Sequence, residues 1–339
     1  MATNNGFASG ELHGIDFLVN GRRSRTQRLT IGQKIAQLAR TVNRAPEVMV
    51  KVSGGGKTPL HVQAHMDYIT RNGKLDAIND QSEKVSGKED VKELHDSWDL
   101  DASNGQGKYR QAFNIVLSMP AGTDPKGLFT AAQNFARERF YGHHQYMMVL
   151  HTPDIDPHKD APPHPHVHLV VKAEGFDGKR LHIRKATLED WRNDFAETLR
   201  AQGIEANATP RDIRGKTRKG KTAGMHYAEK RSDSTVTKNK FEEARQELMR
   251  GDRELKPWEL AIIKRRQAVV RSLISAANEL RRDGDETLAT SIEHYAKELP
   301  RLETERHQMK RAIVERVQRK TQELSQERNG ANENNEKER

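Results

Sequence analysis

Cysteine is absent from this 339-residue chain. That removes disulfides, thiolate metal sites and cysteine nucleophiles together, and it fits a reducing compartment such as the cytoplasm. No apolar run approaches the roughly 20 residues that a membrane-spanning helix needs, so membrane insertion is not expected. The N-terminus lacks the charged-then-apolar pattern of a signal peptide. Hydrophobic residues make up 34% and charged residues 31%. The core must therefore be modest, with part of the chain extended or helical and solvated. Acidic residues are outnumbered, 48 against 58 Lys and Arg, for a net charge of +10. That balance favours a polyanionic partner, nucleic acid before membrane. The length suits two domains, and no internal repeat is visible.

Residues 1–45 read as a loose basic arm ending in Arg22, Arg23 and Arg25, followed by a short amphipathic helix from Thr30 to Asn43 with Ile31, Ile35, Leu38 and Val42 at helical spacing. Pro46 opens a strand, 47–52. A turn at Ser53–Thr58 leads to a helix with Pro59 at its first position, stopping near Asn72-Gly73. Residues 76–110 are polar, an excursion with little structure or one short helix. Strands follow at 113–119, 145–151 and from His166. Between the first two lies a helix capped by Asp124 and Pro125, with Phe129, Ala132, Phe135, Ala136 and Phe140 inside. A turn at 175–178 and a short strand through Leu181-His182-Ile183 precede a helix capped by Thr187. The spacing puts Leu188, Trp191, Phe195 and Leu199 on its buried face. These elements define an α+β domain over 46–210 with a central antiparallel sheet. Residues 211–240 form a basic linker. Residues 241–328 form a helical tail, a hairpin or coiled coil, with Leu248, Leu255, Trp258, Ile262, Val269, Leu273, Ile274 and Leu280 as apolar anchors. Residues 329–339 have the composition of disorder.

The most informative segment is His164-Pro165-His166-Val167-His168-Leu169-Val170-Val171. Beyond Pro165 it is β-branched and apolar, so it reads as a strand. His166 and His168 then share one face, while Val167, Leu169 and Val171 share the other. Alone, such a pair is more often a solvated surface feature. Here a further histidine, His151, ends the preceding strand, and an antiparallel return would bring three imidazoles into one coordination sphere with positions left for a substrate oxygen. His164 shares the parity of the pair and is a supporting candidate. The long Pro153–Pro163 stretch keeps His158 and His164 open as alternatives to His151, and His182 is a more distant rival. Asp154 or Asp156 could orient a ligand histidine through its second nitrogen.

Tyr68 lies on the helix that begins at Pro59. A tyrosine there is usually packing. A nucleophilic role needs a nearby phosphate and a means of activating a phenol that ionises near pH 10, for which the cations Arg71 and Lys74 are at hand. Gly54-Gly55-Gly56-Lys57-Thr58 resembles a nucleotide-phosphate loop, but the glycine required five residues before Gly56 is Lys51, and Pro59 follows at once. The turn could still offer amides to a DNA phosphate.

Three blocks in order resemble the relaxase domain of conjugative and mobilisable plasmids, within the HUH endonuclease superfamily and nearest the MobP class. They are 54–58 with Asp67-Tyr68-Ile69-Thr70-Arg71-Asn72-Gly73-Lys74-Leu75, then Ser118–Asp124, then His151 with His164–His168. The resemblance implies a metal-dependent strand transferase. It would nick and rejoin one DNA strand at a plasmid origin of transfer through a 5′-phosphotyrosine. Tyr68 would be the nucleophile, and His151, His166 and His168 would hold a divalent metal, magnesium or manganese. Ser118, Lys57, Arg71 and Lys74 would hold single-stranded DNA, with Phe113, Tyr109 and Tyr146 as stacking platforms. Accessory relaxosome proteins and a secretion coupling protein are the implied partners, and the bacterial cytoplasm the implied location. A rolling-circle replication initiator and a non-catalytic DNA-binding protein with a degenerate site are the rival readings.

Overall fold

The computed structural model describes residues 13–19, 29–103, 107–158, 161–217, 225, 228, 230–231, 234–252 and 254–337. The chain divides into two compact units, Met1–Thr209 and Pro210–Arg339.

The first unit is an α+β fold around a six-stranded sheet. Its strands are β1 (Met49–Gly54), β2 (Ala77–Asn79), β3 (Lys84–Val85), β4 (Ala112–Ser118), β5 (Tyr146–His151) and β6 (His166–Lys172), in the spatial order β1-β4-β6-β5-β2-β3. Every neighbouring pair is antiparallel. Its helices are α1 (His13–Val19), α2 (Ile31–Val42), α3 (Pro59–Ile69), α4 (Gly87–Ser97), α5 (Pro125–Phe140) and α6 (Lys185–Ala201).

Alternation along β6 sorts its side chains between two cores. Val167, Leu169 and Val171 pack with Phe135 and Phe140 of α5 and Trp191, Phe195 and Leu199 of α6. Val170 packs on the other face, with Val62, Met66 and Ile69 of α3, Val91 of α4 and Trp98. The sheet is thus covered on both sides, and the histidines of β6 share the parity of Val170, on the α3 side. Four aromatic rings, Phe135, Phe140, Trp191 and Phe195, meet edge to face in the α5–α6 core, a preferred arrangement for ring quadrupoles.

Local chemistry sets most element ends. Thr30 and Gln33 form a reciprocal capping box on α2, Thr58 caps α3 ahead of Pro59, and Asp124 caps α5 ahead of Pro125. The glycine turn between β1 and α3 is a packing device. A Cβ on Gly56 would lie 2.2 Å from a Val62 methyl, and one on Gly55 would lie 2.1 Å from the Ala112 carbonyl oxygen. Both glycines are needed for this close approach.

Several expectations are corrected. The 76–110 region holds more than one short helix: it supplies β2, β3 and α4, with Ala77, Val85, Val91 and Trp98 buried and Ile78, Leu94 and Leu100 partly buried. The basic arm contains α1, whose Ile15, Leu18 and Val19 are buried; the rest of 1–28 lies outside the described residues. No strand forms through 181–183; only an isolated bridge joins Glu174 to Arg180. Thr187 sits inside α6, where its hydroxyl accepts from the Arg184 amide.

The second unit is helical: α7 (Thr235–Met249), α8 (Pro257–Arg282), α9 (Glu286–Lys297) and α10 (Glu305–Lys337). α7 begins inside the stretch read as linker, and α10 runs on into the stretch read as disordered. α8 and α9 form an antiparallel hairpin closed by Val269, Leu273, Ala276, Ala277 and Leu280 against Ala289, Ile292 and Tyr295. α7 and α10 are joined by charge instead. Arg306 bonds Glu247 at 2.6 Å and the fully buried Glu259 at 2.8 Å, and Lys310 meets Glu247 at 2.8 Å. Of the anchors expected here, Leu255, Trp258 and Ile274 are exposed. Among the described residues, no helix is long and apolar enough to cross a membrane.

Candidate active site

Register places the three histidines. His151, at the end of β5, lies directly opposite His166 on β6, and His168 lies opposite Val149 two residues along. The ring centroids are 5.0 Å apart for His151–His166, 4.8 Å for His151–His168 and 5.2 Å for His166–His168. One nitrogen from each can be chosen so that all lie within 4.8 Å of one another. Burial pushes His166 down to about 4 and His168 down to about 2, and it lowers His151 as well. At neutral pH all three are uncharged imidazoles, the form that binds a metal ion.

The outward nitrogens are held. His151 Nδ1 lies 2.8 Å from Asp156 Oδ2, and His166 Nδ1 lies 3.2 Å from the His164 carbonyl oxygen. His168 Nδ1 meets the amide of Asn114 at 3.1–3.3 Å. The donor set fits a borderline divalent cation of the manganese, zinc or nickel kind. One adjustment is required, because His151 Nε2 is 2.7 Å from the Ile69 carbonyl oxygen. Releasing that neutral contact is easier than releasing the Asp156 carboxylate on the other nitrogen. Among the described residues, His158 is exposed and outside the group; His164 lies beside His166, its ring tilted by 53° at 5.8 Å between centroids, but does not join the group.

Tyr68 stands beside this centre on the last turn of α3. Its ring is 56% exposed. The next residue supplies the carbonyl that touches His151. Arg71 links the two sites directly. Its Nε and Nη2 reach the Asp156 carboxylate at 2.8 and 2.7 Å, its Nη2 lies 3.2 Å from His151 Nδ1, and its Cζ lies 4.9 Å from the Tyr68 ring centroid. The guanidinium holds the Asp156 carboxyl well below the usual carboxylate range. Arg71, Asn72 and Gly73 all have positive φ, 54°, 57° and 80°. Two consecutive non-glycine residues in the left-handed region are strained backbone, held here by the Arg71 bonds.

The other expected residues fall as follows. Ser118 is buried opposite His166 on the neighbouring strand. Lys57 and Lys74 are exposed, at the two ends of α3. Arg71, expected on DNA, is turned inward. Asp154 is exposed, and Asp156 is the carboxylate on His151, because the turn after Thr152 folds back through Asp156 N to Thr152 O at 3.0 Å. Tyr146 is buried against Phe140 and offers no stacking platform. Tyr109 is partly exposed under Arg180, and Phe113 lies under Arg110. Sequence reasoning missed Asn114 and His65. Neither carries a local signal, since each is brought to the site only by strand and helix packing.

The site thus joins, on one face of the six-stranded antiparallel sheet, a His-x-His strand and a third histidine on the adjacent strand, with an exposed tyrosine on a flanking helix. Residues 68–204 match the family model described as "Relaxase: MobA/VirD2-like, nuclease domain". It is similar to the T-DNA border endonuclease VirD2 of Rhizobium radiobacter, 28% identical over 193 residues covering 51% of this chain and 44% of that protein. It is also similar to VirD2 of Rhizobium rhizogenes, 28% identical over 51% of this chain and 42% of that protein, and of Agrobacterium fabrum, 25% identical over 62% and 50%. The chain thus matches half or less of the length of each of these relatives.

Proposed function

We propose that this protein nicks and rejoins one DNA strand at a plasmid origin of transfer, through a tyrosine-linked intermediate, to begin conjugative transfer. The observation that carries the reading is the tie between Tyr68 and the histidines: an exposed phenol on a helix whose terminal carbonyl touches His151, with Arg71 spanning both.

Tyr68 Oη attacks the scissile phosphorus and loses its proton. The Oη–P bond forms, the bond from phosphorus to the 3′ oxygen breaks, and that oxygen leaves as a hydroxyl after taking up a proton. The 5′ phosphate stays on Tyr68. Reversal by a 3′ hydroxyl reseals the strand without ATP, because the phosphodiester is exchanged and not hydrolysed. Arg71 places positive charge beside the phenol as its oxygen becomes anionic. His151, His166 and His168 would hold a divalent cation, magnesium or manganese, which supplies charge neutralisation at the phosphate oxygens. Ser118, opposite His166, and Lys57 and Lys74, exposed before and after α3, would hold the strand. The helical unit after Pro210 is read as the part that meets accessory proteins and the secretion coupling protein.

The test is a labelled single-stranded oligonucleotide spanning the origin, incubated with protein and Mn2+ and run on a denaturing gel. Wild type is expected to give a covalent adduct and Tyr68→Phe none. The exposed ring makes that substitution close to neutral for folding, within about 0.5 kcal/mol. An adduct that persists in Tyr68→Phe moves the nucleophile elsewhere. Tight binding by wild type with no adduct marks a non-catalytic DNA-binding protein.

A further inference from the structure

Asn114 is 1% exposed, on the α3-facing side of β4, and nothing in the sequence marks it as part of a site. Its side chain meets two others. Nδ2 donates to Ser53 Oγ at 2.5 Å, and the amide faces His168 Nδ1, with Nδ2 at 3.1 Å and Oδ1 at 3.3 Å. An asparagine amide offers two donor hydrogens and one acceptor oxygen. A neutral His168 can give Nε2 to a cation only with its proton on Nδ1, and Asn114 Oδ1 is the acceptor within reach of that proton.

The same logic holds at the other two histidines, whose Nδ1 atoms face the Asp156 carboxylate and the His164 carbonyl. Each imidazole thus has an acceptor behind it, the arrangement that fixes ligand histidines in metal sites.

We propose that Asn114 is a positioning residue of the metal centre, holding His168 with Nε2 free for the cation. This rests on reading the three histidines as a metal site.

The test is calorimetric titration of the full chain with Mn2+. His168→Ala checks the centre itself and should abolish binding. Asn114→Leu keeps the volume and removes the amide; it should weaken Mn2+ by about 10- to 100-fold, while Asn114→Asp, which keeps an acceptor for Nδ1–H, should stay within about threefold of wild type. A purely structural asparagine would not show rescue by aspartate. Should Asn114→Leu fail to fold, Asn114→Ser, too short to reach His168, replaces it with the same expectation. Wild-type affinity in Asn114→Leu, with binding lost in His168→Ala, overturns the proposal and leaves the centre standing. Wild-type affinity in His168→Ala overturns the centre.

Discussion

Arg71 and Asp156, 85 residues apart in the chain, are joined by two parallel hydrogen bonds of 2.8 and 2.7 Å, with side chains 11% and 1% exposed. The pair fastens the end of α3, which carries Tyr68, to the loop behind His151. Removing one partner of a buried pair strands the other charge. Arg71→Met is expected to lower stability by about 3 kcal/mol, and adding Asp156→Asn to recover part of that loss. Urea unfolding of the two single variants and the double variant gives the coupling. A single variant within experimental error of wild type would show that the pair holds nothing together.

Metal addition should stabilise the first unit. Mn2+ at about a hundredfold over its dissociation constant is worth about 2.7 kcal/mol by mass action, read as a rise in melting temperature that EDTA reverses. His166→Ala should lose the rise while keeping its own metal-free melting point close to wild type. An equal rise in wild type and variant would place the ion elsewhere.

The histidine strand was legible because strand periodicity is local: the parity of His166, His168 and Val170 against Val167, Leu169 and Val171 follows from alternation alone. The cap Asp124 was legible for the same reason, acting within one turn. What required the fold was everything set by register between distant segments. Asn114 reaches His168 only because β4 lies beside β6. Arg71 looked like a DNA contact because its acidic partner lies far away in sequence. In the 76–110 region the short helix was legible but the strands were not, because β2 and β3 are three and two residues long; strands so short show no alternation, and their burial comes from α3 and α4 packing over them. The exposed Trp258 and Ile274 mark the reverse error, in which apolar residues at helical spacing were counted as core without knowing which face met a neighbour.

DNA affinity should fall with salt, and the slope reports the phosphates engaged. Lys74 is exposed just beyond α3. Lys74→Met is expected to reduce the slope of log K against log salt by about 0.7, the single-strand value for one phosphate contact, while weakening binding equally for cognate and scrambled oligonucleotides. Fluorescence anisotropy over a salt series measures both. A sequence-dependent loss would assign Lys74 to base recognition.

Asp194 on α6 is buried and paired with Arg139 of α5. Burial outweighs that attraction and pushes its carboxyl up to about 6. The sign follows from linkage. A carboxyl that ionises at a higher pH in the folded state than in the unfolded state binds its proton more tightly when folded. Its contribution to stability is therefore present below about pH 4, the unfolded value, and is lost as pH rises through about 6. The full difference corresponds to about 3 kcal/mol at roughly 1.4 kcal/mol per unit. Asp194→Asn cannot ionise, so its stability relative to wild type should improve by about that amount between pH 4 and pH 7. Urea unfolding at the two pH values makes the comparison. A relative stability that stays flat, or that worsens toward pH 7, would mean that Arg139 outweighs burial and that the carboxylate is the favoured form in the core.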